Sequence, residues 1–283
     1  MLSPKKLRVA AVRFLNAAPL LYNFTHAPRQ ADLARRYDVK FELPNLCASR
    51  LARGTADIGL VPVAALAANA KLAVIPGPAI ASLGDVRSIL LVTRRGVPLQ
   101  AVRSVALDAT SRTSAALVKV VFSHFVGATP DYRQRKPELR TMLRSADAAL
   151  LIGDPALRVS EAEDCDDLTC YDLSRFWKHA TGLPFVFALW AVRSPVLKRR
   201  TVDPAALVSD FRNSRDAGLA NMEPLVKEWA AATDFSAPCI RRYWTENIHY
   251  SLDEPCRQGL QLFFKLAAEC GALPPAPQMR MLD

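Results

Sequence analysis

The chain has 283 residues, about half of them apolar and 23% charged. That is longer than one ordinary α/β core and suits two lobes of roughly 100–150 residues, while the composition excludes a disordered or fibrous protein and no apolar run approaches the ~20 residues needed to cross a bilayer. The net charge of +10 is spread over separated clusters (Arg35-Arg36, Arg94-Arg95, Lys198-Arg199-Arg200, Arg241-Arg242), which speaks against nucleic acid and for a general attraction of anions.

The segment Met1–Lys6 is basic, but Arg8 and Arg13 interrupt the apolar run after it and no small-residue cleavage site follows. No secretion signal is read there, and a cytoplasmic location is expected. Six cysteines (47, 165, 170, 239, 256 and 270) form no CxxC pair and no zinc spacing, so reduced buried thiols are expected. Of His26, His124, His179 and His249, none is expected to pair with a cysteine or carboxylate. No metal is expected.

In chain order, Leu7 to Val12 reads as a strand, followed by a turn over Phe14-Leu15-Asn16-Ala17-Ala18-Pro19 and a brief helix through Phe24. Val39 to Glu42 alternates as a second strand. Asn45 or Ser49 can cap a helix that ends at Arg53, where Gly54 stops it. Ile58 to Val61 is a buried strand, Val63 to Asn69 a helix, and Leu72 to Ile75 and Ser88 to Thr93 further strands. Val102 to Leu107 is a strand, and a helix runs from the turn 108–114 to Phe125. Pro137 to Ser145 (helix), Ala148 to Ile152 (strand), Leu173 to Ala180 (helix) and Phe185 to Val192 (strand) follow. Helices over 204–230 and 255–270 close the chain.

Strands alternating with helices predict an α/β chain with parallel sheets covered on both faces. The fold expected is two lobes with a cleft between them and two linking strands, as in type II periplasmic solute-binding proteins. The first lobe is discontinuous, 1–93 plus 191–283, and the second is inserted at 94–190. Hinge closure on a ligand is the natural motion. Ligands of open α/β sheets lie at the carboxyl ends of strands. That singles out Asn16, the end of Ile58–Val61, the turn 108–114, and Gly153-Asp154.

Thr110-Ser111-Arg112-Thr113-Ser114 joins a strand to a helix. Free N–H groups and the positive end of the helix dipole suit a carboxylate there, and Arg112 has the fork to bind one bidentately. A plain N-cap uses the same residue types. Asn16 is either a ligand contact or the side chain of an Asx turn. Ser88 either faces the cleft or caps a loop. Asp154 is either a general base or hydrogen-bond anchor, or the N-cap of a short helix from Pro155 to Val159. The aromatic run 176–192 either walls a cleft against a planar ligand or packs a core.

Five stretches taken in order resemble one family, the chorismate dehydratases of the futalosine route to menaquinone (the MqnA family). They are Phe14 to Leu20, Gly54 to Leu60, Thr110 to Ser114, Leu151 to Arg158, and Trp177-Lys178 with Thr181 to Trp190. The resemblance implies an enzyme on a solute-binding scaffold. Its substrate would be chorismate, its product 3-[(1-carboxyvinyl)oxy]benzoate plus water, and it would need no cofactor. It also implies that Asn16 and Ser88 act in catalysis and that Thr110, Ser111, Arg112 and Thr113 bind a substrate carboxylate, with Gly153 and Asp154 beside them. Gly84-Asp85-Val86-Arg87 departs from the Gly-Pro-Val found before the serine in many members. A sister family that acts later in the same route carries a histidine base near the position of Gly153, and the glycine here argues against that reaction.

Overall fold

The computed structural model describes residues 6–162, 167–200 and 202–282. Cys165 and the residues before Lys6 lie outside that range. Cys47, Cys239, Cys256 and Cys270 are free thiols. No helix among the described residues is long and apolar enough to cross a membrane.

Among the described residues twelve strands form two sheets: β1 Leu7–Val12, β2 Tyr37–Glu42, β3 Ile58–Pro62, β4 Leu72–Ser82, β5 Ile89–Arg94, β6 Ser104–Asp108, β7 Asp131–Arg135, β8 Ala148–Ile152, β9 Leu168–Asp172, β10 Phe185–Arg193, β11 His249–Ser251 and β12 Arg280–Met281. The first sheet runs β11-β4-β10-β3-β1-β2, with β12 on β4, and the second runs β7-β6-β8-β5-β9. Two expectations are corrected here. The sheets are mixed rather than parallel, because β10 runs antiparallel to β3 and β4, and β5 antiparallel to β8 and β9. And β5, expected to close the first lobe, belongs to the second sheet, while all of β10 belongs to the first. Each strand that follows a crossing enters the middle of its new sheet against the direction of its neighbours.

The strand expected over Leu72 to Ile75 continues to Ser82. Pro76-Gly77-Pro78 reads as a break, yet the strand passes through it as a bulge with Gly77 at φ 108°. The carbonyls released there are used: Leu252 N donates to Gly77 O at 2.7 Å and Arg212 Nε to Pro76 O at 2.9 Å. A bulge tolerates proline because its residues leave the ladder. The single helix expected over 204–230 is two, Pro204–Ala220 and Met222–Ala232.

One apolar core runs from the first sheet through the Arg112–Val120 helix to one face of the second sheet. Leu90, Val92, Ala106, Met142 and Leu151 form a smaller cluster on the opposite face. Most of the aromatic run packs this core: Trp177 contacts Phe185 and Phe263 edge-on, and both Trp177 and Trp190 are fully buried.

Gly54 ends the Pro44–Arg53 helix in the left-handed region at φ 73°, as its place in the sequence suggests. Asp57 does more than tighten a turn. Its buried carboxylate accepts Arg8 N and Nε at 3.0 Å and Arg199 Nη2 at 3.2 Å, tying the start of β1 to the start of β3. Burial works against this charge, but hydrogen bonds and the Arg8 and Arg199 charges outweigh it and hold the carboxyl below its usual range. A depressed carboxyl contributes stability above its unfolded pKa and loses it as pH falls through the folded value. Asp57→Asn is therefore expected to lower stability by about 2 kcal/mol at neutral pH. It should also flatten the loss between pH 5 and 3, measured by thermal unfolding across that range.

Candidate functional site

A cavity of about 60 Å³ opens where the two sheets face each other. Its walls are mostly apolar: Val12 and Leu60 from the first sheet, Phe14 from the loop after β1, Pro44 from the start of the Pro44–Arg53 helix, Phe187 from β10, and Ile89 and Ile152 from the second sheet. The polar lining is short: Asn16, Ser111, Thr113 and Ser114. No charged side chain among the described residues lines it. It lies at the carboxyl ends of β1, β3 and β8 and at the turn after β6, the strand ends singled out from sequence.

The Arg112–Val120 helix points its N-terminus at the cavity. Ser111 is its N-cap, its Oγ accepting from Ser114 N at 3.1 Å and donating to Ser114 Oγ at 2.9 Å. The N–H groups of Arg112 and Thr113, in the first turn, have no intrahelical acceptor. Thr113 Oγ1 accepts from Ala64 N, in the first lobe, at 3.1 Å, so its own proton is free for another acceptor. Ser111 is thus both the cap of this helix and part of the cavity wall. Thr110 and Arg112 do not line the cavity. The Thr110 N–H and hydroxyl both turn back to Asp108 Oδ1, at 2.9 and 2.7 Å. Arg112, expected to bind a carboxylate bidentately, is exposed, because as the first helical residue it points away from the sheet.

Gly153 lines the cavity at φ 62°, and a Cβ there would meet the Phe14 ring at 3.2 Å. Any side chain there would be strained by the positive φ and would press on the Phe14 ring. Asp154 does not cap the helix after it. That helix begins at Gly153 with Ile152 as N-cap, and Asp154 Oδ1 accepts instead from Leu15 N in the other lobe, at 3.4 Å. Burial pushes the Asp154 carboxyl up, against the Leu15 bond and the Arg158 charge, which pull it down.

Ser88 does not line the cavity. It is 1% exposed, one residue before Ile89, and its Oγ accepts from Tyr243 Oη at 2.7 Å. The loop before it owes its shape to Asp172, which accepts Val86 N at 3.0 Å and Arg87 N at 2.6 Å on one oxygen and caps the Leu173–Thr181 helix with the other. One carboxylate joins the two crossings between the sheets and does the work expected of the absent proline. Arg87 adopts φ 61° there and pairs with Glu161.

The model of the family described as menaquinone biosynthesis matches residues 7–269. A chorismate dehydratase of Thermus thermophilus is 32% identical over 281 residues, covering 94% of this chain and 95% of the relative. The chain belongs to the menaquinone-biosynthesis family. Among solved structures it resembles an Archaeoglobus fulgidus protein (TM-score 0.72, 18% identity, 95% of this chain and 98% of that one). It also resembles the periplasmic aliphatic sulphonate binding protein of Escherichia coli (TM-score 0.66, 15% identity, 99% and 94%). At those identities the likeness is one of fold, and the fold is the two-lobed one of solute-binding proteins.

For this member of the family, sequence reasoning missed the part played by Tyr243–Asn247. This single π turn follows the Ala237–Arg242 helix. Tyr243 reaches Ser88, and Trp244 Nε1 donates to Leu15 O at 2.7 Å. A π turn shifts side chains off the α-helical face and recurs at functional sites, but the sequence Tyr-Trp-Thr-Glu-Asn does not announce one. Sequence reasoning also paired no histidine. His249 Nε2 lies 2.8 Å from Asp253 Oδ2, and Cys256 completes a close group. Asp253 is the N-cap of the Glu254–Glu269 helix, and burial pushes the Cys256 thiol up to about 12, so the thiolate a metal needs is disfavoured.

Proposed function

We propose that this protein is a cytoplasmic carbon–oxygen lyase that dehydrates chorismate to 3-[(1-carboxyvinyl)oxy]benzoate in menaquinone biosynthesis. The observation that carries the reading is the cavity: apolar walls with a helix N-terminus and three hydroxyls at one end. The Thermus thermophilus relative, matched over nearly its whole length, is named a chorismate dehydratase.

Chorismate carries two carboxylates, a 4-hydroxyl and an enolpyruvyl ether at C3. Loss of H3 and the 4-hydroxyl makes the ring aromatic. H3 is vinylogously acidic, because the electrons it leaves behind move onto the ring carboxylate. Held against the N–H groups of Arg112 and Thr113 and the Thr113 hydroxyl, that carboxylate develops its charge where the helix dipole already favours it. Arg112 takes part through its backbone.

None of the polar residues lining the cavity is an acceptable base at neutral pH. The enolpyruvyl carboxylate of the substrate lies near H3 and takes the proton. Asn16, which lines the cavity, orients that group and assists departure of the hydroxyl. The apolar wall keeps water from the enolpyruvyl ether. The lobes close by bending at the crossings Ser82–Ile89 and Asp172–Phe185, and the bonds from Thr113 to Ala64 and Asp154 to Leu15 form on closure.

The test is chorismate mixed with the purified protein, followed by absorbance and mass spectrometry. A product one water lighter that retains the enolpyruvyl group is expected. Unchanged chorismate with folded protein rejects the reading, and release of pyruvate assigns a different lyase.

A further inference from the structure

We propose that the helix Gly153–Glu161 is the latch that holds the two lobes closed over the site, with Glu161–Arg242 and Arg158–Asp234 as its releasable bonds. Only the kinetic readout of this inference rests on the dehydratase reading above.

Asp154, Arg158 and Glu161 stand at i, i+4 and i+7 of this helix, which places them in one stripe along its surface. Ala156 lies opposite the stripe and packs in the second-sheet cluster of Leu90, Val92 and Leu151. Each member of the stripe meets a different segment of the first lobe. Asp154 Oδ1 accepts from Leu15 N at 3.4 Å. Arg158 Nη2 lies 3.5 Å from Asp234 Oδ2, with its guanidinium 5.2 Å from the centre of the Phe235 ring. Glu161 Oε1 accepts from Arg242 Nη2 at 2.7 Å. Asp234, Phe235 and Arg242 lie in the turn and helix that lead into Tyr243–Asn247, and Trp244 ties that segment to Leu15.

A face that parts and rejoins is polar for a physical reason. An apolar one would expose a sticky patch on opening, whereas these charges are solvated when released. The Asp234 side chain is 89% exposed and that of Arg242 48%, so each bond is weak singly and the stripe can part. Glu161 has a second partner, Arg87, on the crossing before Ser88, and the Arg87 side chain is only 16% exposed. Arg87 therefore holds the carboxylate in place when the lobes part, ready to receive Arg242. A ligand that needs the closed form loses affinity in proportion to the molecules the latch no longer holds closed.

The experiment compares wild type, R242Q, R241Q and D234R. It measures KM and kcat for chorismate at low and raised salt, Tm, and the radius of gyration of the ligand-free proteins by small-angle X-ray scattering. R241Q is the control. Arg241 neighbours Arg242 and its loss removes the same charge, but its partner is Glu223, 2.6 Å away on the preceding helix of the same lobe. R242Q is expected to raise KM about 3–10-fold over R241Q, with kcat little changed, Tm close to wild type and a larger radius of gyration. D234R should raise KM and the radius over wild type as well. It exchanges a negative charge for a positive one, which by attraction alone would lower KM for a dianion. Raised salt should narrow both differences, because exposed charges are screened. R242Q that matches R241Q in KM and radius overturns the inference. So does D234R with KM at or below wild type, and so does a rise in KM matched by a large fall in Tm. Wild-type protein without turnover removes the dehydratase reading alone, because the radii still decide the latch.

Discussion

Asn16→Ala is expected to lower turnover of chorismate by about 10²–10³-fold, the usual cost of removing one preorganised polar group that acts on developing charge. The fold should remain intact. Asn16 sits on the short 3-10 segment Leu15–Leu21, where Leu15, Ala17, Ala18, Leu20 and Leu21 face the core while Asn16 itself lines the cavity. The backbone of this turn is held by groups other than the amide: Trp244 Nε1 on Leu15 O and Ala17 N on Phe14 O at 3.0 Å. Steady-state kinetics and thermal unfolding separate the two effects. Near-normal turnover would remove Asn16 from the mechanism. A large loss of Tm would instead move it to the scaffold.

Gly218→Ala is expected to be among the most damaging small substitutions in the chain, although Gly218 is far from the cavity in sequence. A Cβ at Gly218 would stand 2.1 Å from Pro19 O, inside any permitted contact, and both sides of the clash are backbone. The Pro204–Ala220 helix is docked on the Asn16 segment by this close approach. One turn earlier, Ser214 Oγ donates to Leu20 O at 2.9 Å and accepts from Asn23 N at 3.1 Å. Alanine must push the helix and the segment apart. Overpacking of this kind costs about 3 kcal/mol or more, or a fall in Tm of at least about 5 °C. The same displacement moves Asn16, so kcat should fall even at temperatures where the variant is folded. Gly84→Ala is the control. Nothing lies within 4 Å of its would-be Cβ, and its stability should match wild type. Equal Tm values for the two variants would show that the helix and the Asn16 segment part without cost.

Both expectations depend on contacts between segments far apart in the chain, and that is where reading from sequence stopped. Local order carries the buried strands Leu7–Val12 and Ala148–Ile152, the glycine stop at Gly54, the capped helix after Ser111, and the strand ends that frame the cavity. Each depends on residues within a few positions of one another: apolar runs, a cap, a residue free to adopt positive φ. The ordered stretches that resemble one family added the expected reaction and gave Asn16, Ser88 and the 110–113 turn their expected roles in it. Strands β7 and β9 were missed because Asp131–Arg135 is mostly exposed and Leu168–Asp172 contains no fully buried residue; neither shows an apolar pattern.

What only the tertiary structure decided is which side chains meet. Arg112 and Thr110 share a motif with Ser111 and Thr113, yet the 3.6-residue turn of the helix and the pull of Asp108 send the first pair out of the cavity and keep the second pair in it. Asp154 looks like a cap and serves as a bond between lobes. Asp172, which carries no motif, holds both crossings. Tyr243 comes to Ser88 from a segment with no signal of its own. Chain-local forces set the elements and their ends. Partners across the cleft are chosen by how two sheets and the C-terminal helices pack, and that choice minimises unpaired buried polar groups over the whole molecule rather than within any one segment.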